Sequence, residues 1–161
     1  MTLQPVLDRI DADLPAALAR LLELLRIPSI STDPAFAAPC RQAAEWLAAD
    51  LATLGIAARV DPTPGHPMVT GQGGDGGPHL LFYGHYDVQP VDPLALWHRD
   101  PFDPQIEDTP AGRVIRGRGA ADDTGQVMTF VEACRAWVAV HGRLPCRLTF
   151  LFEARPRWCP T

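Results

Sequence analysis

Lysine and asparagine are both absent from this sequence of 161 residues, and all 14 basic residues are arginine. Both missing residues are encoded by AT-rich codons, so we infer a GC-rich gene. The formal net charge of −5 provides no basic surface for nucleic acid and argues against an anionic membrane as a partner. The hydrophobic content of 47% and the charged content of 20% are typical of one ordinary globular domain.

Signals for targeting and for disulfide formation are also missing. Residues 1–15 are acidic and amphipathic, without a basic region followed by an apolar run, so we expect no secretory signal. No apolar stretch is long enough to span a bilayer. The cysteines form no C-x-x-C pair, and free thiols in a reducing compartment are expected rather than disulfides. These observations together predict a cytoplasmic protein.

Hydrophobic periodicity predicts an alternation of helices and strands. The helices are expected over residues 6–25, 40–55 and 124–142. The strands are expected over residues 56–61, 67–72, 79–84, 113–119 and 146–153. The continuous apolar runs "HLLFYG" and "CRLTFLFE" predict buried strands, whereas residues 89–112 have no periodicity and indicate a long surface loop.

The order of these elements predicts the fold class. Strand, helix and strand at the C-terminal end indicate a right-handed parallel crossover. We therefore expect an α/β fold, with a mostly parallel sheet flanked by helices on both faces. The glycine-rich residues 71–78 superficially resemble a phosphate loop, but they precede a strand instead of opening a helix, so a hairpin turn is favoured.

Two groups of polar residues follow predicted strands. His85 and Asp87 lie in "YGHYDVQP", and Asp122 and Asp123 lie in "GRGAADDTG". In open α/β sheets, ligands gather beyond the carboxyl ends of the strands, so the two groups could converge there. Imidazole and carboxylate are zinc ligands, and a second carboxylate that accepts the other ring N–H fixes the histidine tautomer. The spacing therefore favours a metal site.

Each motif has a structural alternative when it is considered alone. A histidine at the end of a strand can be a hydrogen-bonded polar residue without a ligand. Asp122, Asp123 or Thr124 can cap the helix that follows, and the glycines beside them can be turn residues. The other histidines, at positions 66, 79, 98 and 141, have no acidic partner at ligand spacing and are interpreted as surface residues.

The stretches "YGHYDVQP", "LWHRDPFDP" and "GRGAADDTGQ" together resemble the M20 metallopeptidases. They are most similar to the dipeptidase and carnosinase-like branch of that family, and the resemblance extends roughly from Leu21 to Glu153. It implies the N-terminal fragment of a zinc-exopeptidase-like catalytic domain. It also implies two divalent cations, Zn²⁺ or in other members Mn²⁺ or Co²⁺, and a small peptide as the substrate. A longer relative would form a homodimer.

The resemblance assigns roles to individual residues. It implies that His85 is a ligand of one metal ion and that Asp122 is the carboxylate that bridges the two ions. Asp87 is the catalytic-site carboxylate that orients His85. In the family, the peptide bond after the bridging aspartate is often cis, which would be the bond between Asp122 and Asp123. Thr124 departs from the lysine that is usual at its position.

The C-terminal residues depart from the family pattern, so we divide the chain at 1–153 and 154–161. Arg155 and Pro156 occupy the positions of a glutamate pair that supplies the general base, and neither can act as a base near neutral pH. An out-of-frame translation of a GC-rich gene would explain residues 154–161. A natural short isoform or a degraded pseudogene are the alternatives.

Three functions therefore stay open. The first is a metal-dependent dipeptidase, present here without its catalytic glutamates and inactive by itself. The second is an N-acyl amino acid deacylase of the acetylornithine or succinyl-diaminopimelate type. The third is a metal-binding fragment without catalysis. The wording of "GHYDVQP" favours the peptidase branch.

Overall fold

The computed structural model describes residues 2–155 of the chain. The helices are α1 (Gln4–Leu25), α2 (Ala37–Ala52) and α3 (Thr124–His141), with short 3₁₀ helices at Pro34–Phe36 and Leu94–Leu96. The strands are β1 (Ala57–Asp61), β2 (Met68–Gly73), β3 (His79–His85), β4 (Gln105–Thr109), β5 (Gly112–Arg116) and β6 (Arg147–Glu153). The α/β class is confirmed, and the three predicted helices form close to their predicted positions.

Local sequence signals account for the ends of the helices. Pro5 lies in the first turn of α1, where its missing N–H would have had no partner inside the helix. At its C-terminal end, α3 stops at Gly142, which has a φ of 71° and donates its N–H to the carbonyl of Val138 at 2.7 Å. Glycine adopts this left-handed conformation without strain, so it ends the helix where the sequence predicted.

The main sheet is mixed, which corrects the prediction of a mostly parallel sheet. Its strand order is β1-β2-β6-β3. Strands β3 and β6 pair in parallel, whereas β1 with β2 and β2 with β6 are antiparallel. The connection between β1 and β2 is too short for the crossover that parallel neighbours need, so these two strands form a hairpin. The parallel partner of β6 is β3 and not the strand directly before α3, because β5 pairs with β4 in a separate sheet, so the parallel pairing was predicted but its first strand was wrong.

Helices α2 and α3 pack on the same face of this sheet. A Cβ atom on Gly71 would lie 3.5 Å from Leu51 of α2, and one on Gly84 would lie 2.5 Å from Val127 of α3. Both glycines are in register with fully buried phenylalanines of β6. Helix α1 packs against α3. The core therefore lies between this face and the helices.

The opposite face of β3 is exposed, which corrects two predictions. Leu81 is 63% and Tyr83 51% exposed, and the Tyr83 hydroxyl donates a hydrogen bond to Glu153 of β6. The run "HLLFYG" is thus not buried on both sides, and the described helices do not flank the sheet on both faces. An apolar run records the propensity to form a strand, but it does not specify what covers each face.

The glycine-rich segment after β2 is a turn but not a hairpin. Strand β6 lies between β2 and β3, so residues 74–78 join two strands that are not neighbours. Gly74 and Gly77 have φ values of 75° and 67°, and a Cβ on Gly74 would lie 2.0 Å from the carbonyl oxygen of Cys146. The turn chemistry was predicted correctly, and the pairing was not.

The predicted long loop contains a strand. Gln105–Thr109 forms β4, which pairs antiparallel with β5 in a separate two-stranded sheet. The polar sequence "QIEDT" lacks the apolar alternation that would have identified this strand. The hairpin leads directly into residues 117–123, which precede α3.

A network of ion pairs joins the three helices. Arg20 of α1 donates to both carboxylate oxygens of Glu132 of α3 at 2.6 Å. Arg135 of α3 donates to both oxygens of Asp50 of α2 at 2.6 and 2.7 Å, and to the hydroxyl of Thr53 at 2.8 Å. Such two-pronged contacts fix the relative positions of the helices.

Among the described helices, none is long and apolar enough to cross a membrane. The strand β6 ends at Glu153, where we placed the boundary of the family-like part. Of the predicted non-matching tail, residues 156–161 lie outside the described residues, so the proposed change of reading frame stays a prediction.

Candidate metal centre

His85 and Asp87 lie at the carboxyl end of β3, beside β6. His85 is the last residue of the strand, and its neighbours on the chain are packed into the core. Gly84, directly before it, lies so close to Val127 and Phe152 that a larger residue would displace α3. The tight packing of β3 against α3 therefore fixes the backbone position from which the His85 side chain extends. Asp87 is 3% exposed and hence almost fully buried.

Asp122 reaches the same place from the loop before α3. This loop turns at Gly119, whose φ is 80°, and the N–H of Gly125 donates to the carbonyl of Gly119. The Asp122 carboxylate places its Oδ1 3.1 Å from Nε2 of His85. Its side chain is 77% exposed. The predicted convergence of the two motifs is therefore confirmed.

Asp123 has a different function from its neighbour. It is the N-cap residue of α3, yet none of its side-chain oxygens caps the helix. Its Oδ2 instead accepts a hydrogen bond from the backbone N–H of His85 at 3.0 Å. The capping alternative for these aspartates thus does not describe α3, because Asp123 joins the helix start to the end of β3. The peptide bond between Asp122 and Asp123 is cis, as the family resemblance implied.

The imidazole of His85 is held from behind by Asp87. Its Nδ1 lies 3.0 Å from the carbonyl oxygen and 3.3 Å from Oδ1 of Asp87. Hydrogen bonding to the Asp87 side chain is the largest contribution that raises the pKa of His85 to about 9, although burial opposes it. Both neighbours of Nδ1 are oxygen acceptors of Asp87, which favours a proton on Nδ1, while Nε2 faces Asp122.

Ser31 completes the surroundings of Asp87, and we did not predict it from the sequence. Its hydroxyl donates to Oδ2 of Asp87 at 2.5 Å, and both residues are buried. His66, which we interpreted as a surface residue, places Nε2 2.8 Å from the carbonyl oxygen of Ser31. Burial and the nearby Asp87 raise the pKa of the Cys40 thiol to about 12. A hydroxyl in a loop far from the motif gives no sequence signal.

The paired side chains open into a cavity of about 270 Å³. His85, Asp87 and Asp122 line it together with Trp97 and Arg118. The Arg118 guanidinium donates to the carbonyls of Gln89 and Pro90 at 2.8 and 2.7 Å, so it ties the segment after β3 to the loop before α3. The cavity is large enough for a small ligand group beside the two candidate donors.

The chemistry and spacing of the two donors fit a zinc ion. An imidazole nitrogen and a carboxylate oxygen that bind tetrahedral Zn²⁺ at their usual distances lie about 3.3 Å apart, and the observed separation is 3.1 Å. Asp87 provides the carboxylate that commonly supports a ligating histidine. Within residues 2–155, no group of three or more His, Cys, Asp or Glu side chains forms a ligand cluster.

Residues 81–155 match the sequence profile described as Peptidase family M20/M25/M40. The matched segment begins in β3, ends just after β6, and contains all three predicted site residues. Residues 81–155 of the chain belong to the M20 family. The resemblance seen in "YGHYDVQP" and "GRGAADDTGQ" is thus confirmed.

Curated relatives of this M20 chain include succinyl-diaminopimelate desuccinylases. The protein from Methylocella silvestris is 37% identical over 134 residues, which cover 80% of this chain and 32% of the relative. The protein from Xanthomonas euvesicatoria is 50% identical over 68 residues, which cover 42% of this chain and 17% of the relative.

Solved structures similar to this M20 chain include dipeptidases. The di-peptidase Dug1p from Saccharomyces cerevisiae superimposes with a TM-score of 0.83 at 27% identity, covering 95% of this chain and 34% of that chain. Human carnosine dipeptidase 1 superimposes with a TM-score of 0.83 at 26% identity, and the match covers 95% of this chain and 35% of the dipeptidase chain. The chain therefore spans about a third or less of the length of these relatives and structures.

Proposed function

We propose that this chain contributes His85 and Asp122 to a centre of two divalent cations that hydrolyses an amide bond in a dipeptide or short peptide. The observation that carries the proposal is the 3.1 Å approach of His85 Nε2 to Asp122 Oδ1, with Asp87 behind the imidazole. It occurs in the segment that matches the M20 profile. Zinc is the proposed metal, and Mn²⁺ or Co²⁺ are the alternatives.

Each described residue has a separate task in this proposal. His85 would present the lone pair of Nε2 once a cation displaces the Nε2 proton, since its Nδ1–H is held by Asp87. Asp122 presents a mostly exposed carboxylate that can bridge two cations. Bound cations would supply Lewis acidity, which acidifies a water molecule and polarises the scissile carbonyl. Asp123 contributes no ligand and holds the backbone of His85 in place.

The general base for the water is not contributed by residue 155. Arg155 is exposed, and its guanidinium cannot accept a proton near neutral pH. The glutamate pair that the family resemblance implies is replaced at this position, so the proposal assigns no general base to the described residues, and Asp87 stays an orienting residue.

A second candidate is the hydrolysis of an N-acyl amino acid, such as an N-succinyl derivative. It is supported by the names of the curated relatives, one of which matches 80% of this chain at 37% identity. The dipeptidase proposal is supported by the structural similarity over 95% of the chain. Both reactions cleave an amide bond and would use the same two ligands.

A substrate panel with matched histidine variants tests the proposal. Dipeptides and N-succinyl and N-acetyl amino acids are incubated with the chain and added Zn²⁺ or Mn²⁺. We expect the chain to bind Zn²⁺ and this binding to be lost in His85→Gln, with no turnover by the chain alone, because it lacks the glutamate pair that supplies the general base. Zn²⁺ binding should be retained in His79→Gln, which alters an exposed histidine at the opposite end of β3.

The outcomes separate the candidates. Preference for dipeptides supports the first proposal, and preference for N-succinyl substrates supports the second. Equal Zn²⁺ binding by both histidine variants would contradict the role of His85. Metal bound through His85 without turnover of any substrate is the result expected for the chain alone, and it also agrees with the third function, a metal-binding fragment without catalysis.

A further inference from the structure

The buried carboxylate of Asp87 has a polar contact on each oxygen. Its Oδ1 lies 3.3 Å from Nδ1 of His85, within ion-pair distance, and its Oδ2 accepts a hydrogen bond from the Ser31 hydroxyl at 2.5 Å. The carbonyl oxygen of Asp87 also lies 3.0 Å from Nδ1. In residues 2–155, no arginine forms an ion pair with it. A carboxylate removed from water needs such partners to stay in one orientation. Ser31 therefore fixes one oxygen, which leaves the other for the histidine.

Ser31 is itself held by the backbone around it. The chain at residues 29–31 runs parallel to the segment after β3, with a bridge between Ile30 and Val88. The N–H of Val88 donates to the carbonyl of Ser29 at 2.9 Å, and His66 Nε2 lies 2.8 Å from the carbonyl oxygen of Ser31. The Ser31 hydroxyl consequently approaches Asp87 from a fixed position.

We propose that Ser31 is a positioning residue of the metal centre, which acts through Asp87 to orient the imidazole of His85 toward the cation. This inference rests on the proposed function, because it assumes that His85 is a ligand. The reasoning is that a carboxylate anchored at one oxygen cannot rotate away from Nδ1. The proton then stays on Nδ1, and the Nε2 lone pair points to the side where Asp122 lies.

The chain provides a matched control in the same loop. Ser29 is buried like Ser31, and its hydroxyl donates to the carbonyl oxygen of Tyr86 at 2.7 Å. Ser29→Ala removes the same hydroxyl group from a buried position in the same loop, but it does not change the contact of Asp87. A loss of stability alone would affect both variants, whereas a change at His85 should occur only when Ser31 is altered.

The experiment measures two properties of wild type, Ser31→Ala and Ser29→Ala. The first is the tautomer of His85 in the metal-free chain, read from the imidazole ¹⁵N chemical shifts at a pH above its pKa of about 9. The second is the dissociation constant for Zn²⁺, measured by competition with a chromophoric chelator. The His85 signals are assigned by their loss in His85→Gln.

We expect Ser31→Ala to reduce the population with a proton on Nδ1 and to weaken Zn²⁺ binding by about 10-fold, the lower end of the range for residues behind a ligand. Ser29→Ala should match wild type in both measurements. Ser31→Cys, which is nearly the same size and donates only a weak hydrogen bond, covers the case in which the alanine variant does not fold. It should change the tautomer in the same direction.

The results distinguish this inference from the proposed function. If the Ser31 variants match Ser29→Ala in both the tautomer and the zinc affinity, the positioning role is wrong. If wild type binds no Zn²⁺ through His85, the proposed function is wrong. The positioning of the imidazole by Ser31 is then decided by the tautomer comparison.

Discussion

The backbone N–H of His85 donates to Oδ2 of Asp123 at 3.0 Å, while the imidazole of the same residue contacts Asp122. Two adjacent aspartates thus hold one histidine: Asp122 contacts the imidazole of His85, and Asp123 contacts the backbone N–H of His85. Asp123 joins strand to helix, whereas Asp122 faces the cavity. Substitution of each aspartate should therefore affect a different property.

We predict that Asp123→Ala lowers the free energy of unfolding by about 1–2 kcal/mol, because it removes a charge-assisted hydrogen bond between β3 and the start of α3. Asp122→Ala should change the stability of the metal-free chain by less than about 0.5 kcal/mol, since its side chain is mostly exposed. It should instead abolish zinc binding. Urea unfolding and zinc titration of both variants check this. A larger loss of stability in Asp122→Ala than in Asp123→Ala would contradict the assignment of metal binding to Asp122 and of stability to Asp123.

Gly84 lets α3 approach the end of β3. A Cβ atom at this position would lie 2.5 Å from Val127 and 3.0 Å from Oδ2 of Asp123. We expect Gly84→Ala to destabilise the fold by roughly 1–3 kcal/mol, because neither neighbour can move without disturbing the helix. Thermal unfolding provides the measurement. Gly76→Ala is the control, since its Cβ would meet no atom within 4 Å, and equal effects of the two would refute the argument.

The ion pair between Asp50 and Arg135 is nearly buried between α2 and α3. Asp50→Ala removes the two-pronged contact and leaves the Arg135 guanidinium with Glu132, 3.2 Å away, as its remaining carboxylate, so we predict a loss of about 2 kcal/mol in the free energy of unfolding. The comparison is Glu45→Ala in the same helix, whose pair with Arg41 spans 3.8 Å between side chains that are 58% and 60% exposed. That variant should lose no more than about 0.5 kcal/mol. If Asp50→Ala and Glu45→Ala lose similar free energies of unfolding in chemical denaturation, burial of the ion pair does not determine its contribution.

The metal-free chain should lose stability as the pH rises through the titration of His85. The pKa of His85 is raised from 6.5 to about 9 in the folded chain, with the hydrogen bond to Asp87 as the main cause. The folded state therefore binds a proton that the unfolded state has released. This contribution is complete below about pH 6.5 and is lost by about pH 9. Denaturation at a series of pH values, in the presence of a chelator, measures it.

His85→Asn is the control for this pH dependence. The variant cannot bind the proton, so the decrease between these pH values should disappear. The thiols of Cys40 and Cys134, whose pKa values burial raises to about 12, affect stability only at higher pH. A decrease of the same size in the variant would show that another group is responsible.

The sequence predicted the helices and the convergence of the two motifs well. Helical spacing of leucines specified α1, and Gly142 marked the end of α3, because these signals are local. His85 and Asp122 were predicted to meet because both follow strands. They do meet, but the reason was wrong, because β5, which precedes Asp122, belongs to the separate two-stranded sheet and not to the sheet of β3. The cis bond after Asp122 came from the family resemblance and not from the residues themselves.

The errors concern relationships that local sequence does not encode. Insertion of β6 between β2 and β3 depends on packing of the whole sheet, so the turn at 71–78 could not reveal it. The exposure of Leu81 depends on what covers the sheet. Ser31 lies 56 residues from Asp87 along the chain, and a serine in a loop has many uses. Its contact could be found only in three dimensions.

A crystal structure of the chain soaked with Zn²⁺, with anomalous differences collected at the zinc edge, tests the central claim most directly. We predict an anomalous peak about 2 Å from both His85 Nε2 and an oxygen of Asp122, which are ordinary zinc–ligand distances. The peak should be absent from crystals of His85→Gln. A peak at another site, or none beside these two residues in the wild-type chain, would contradict the account.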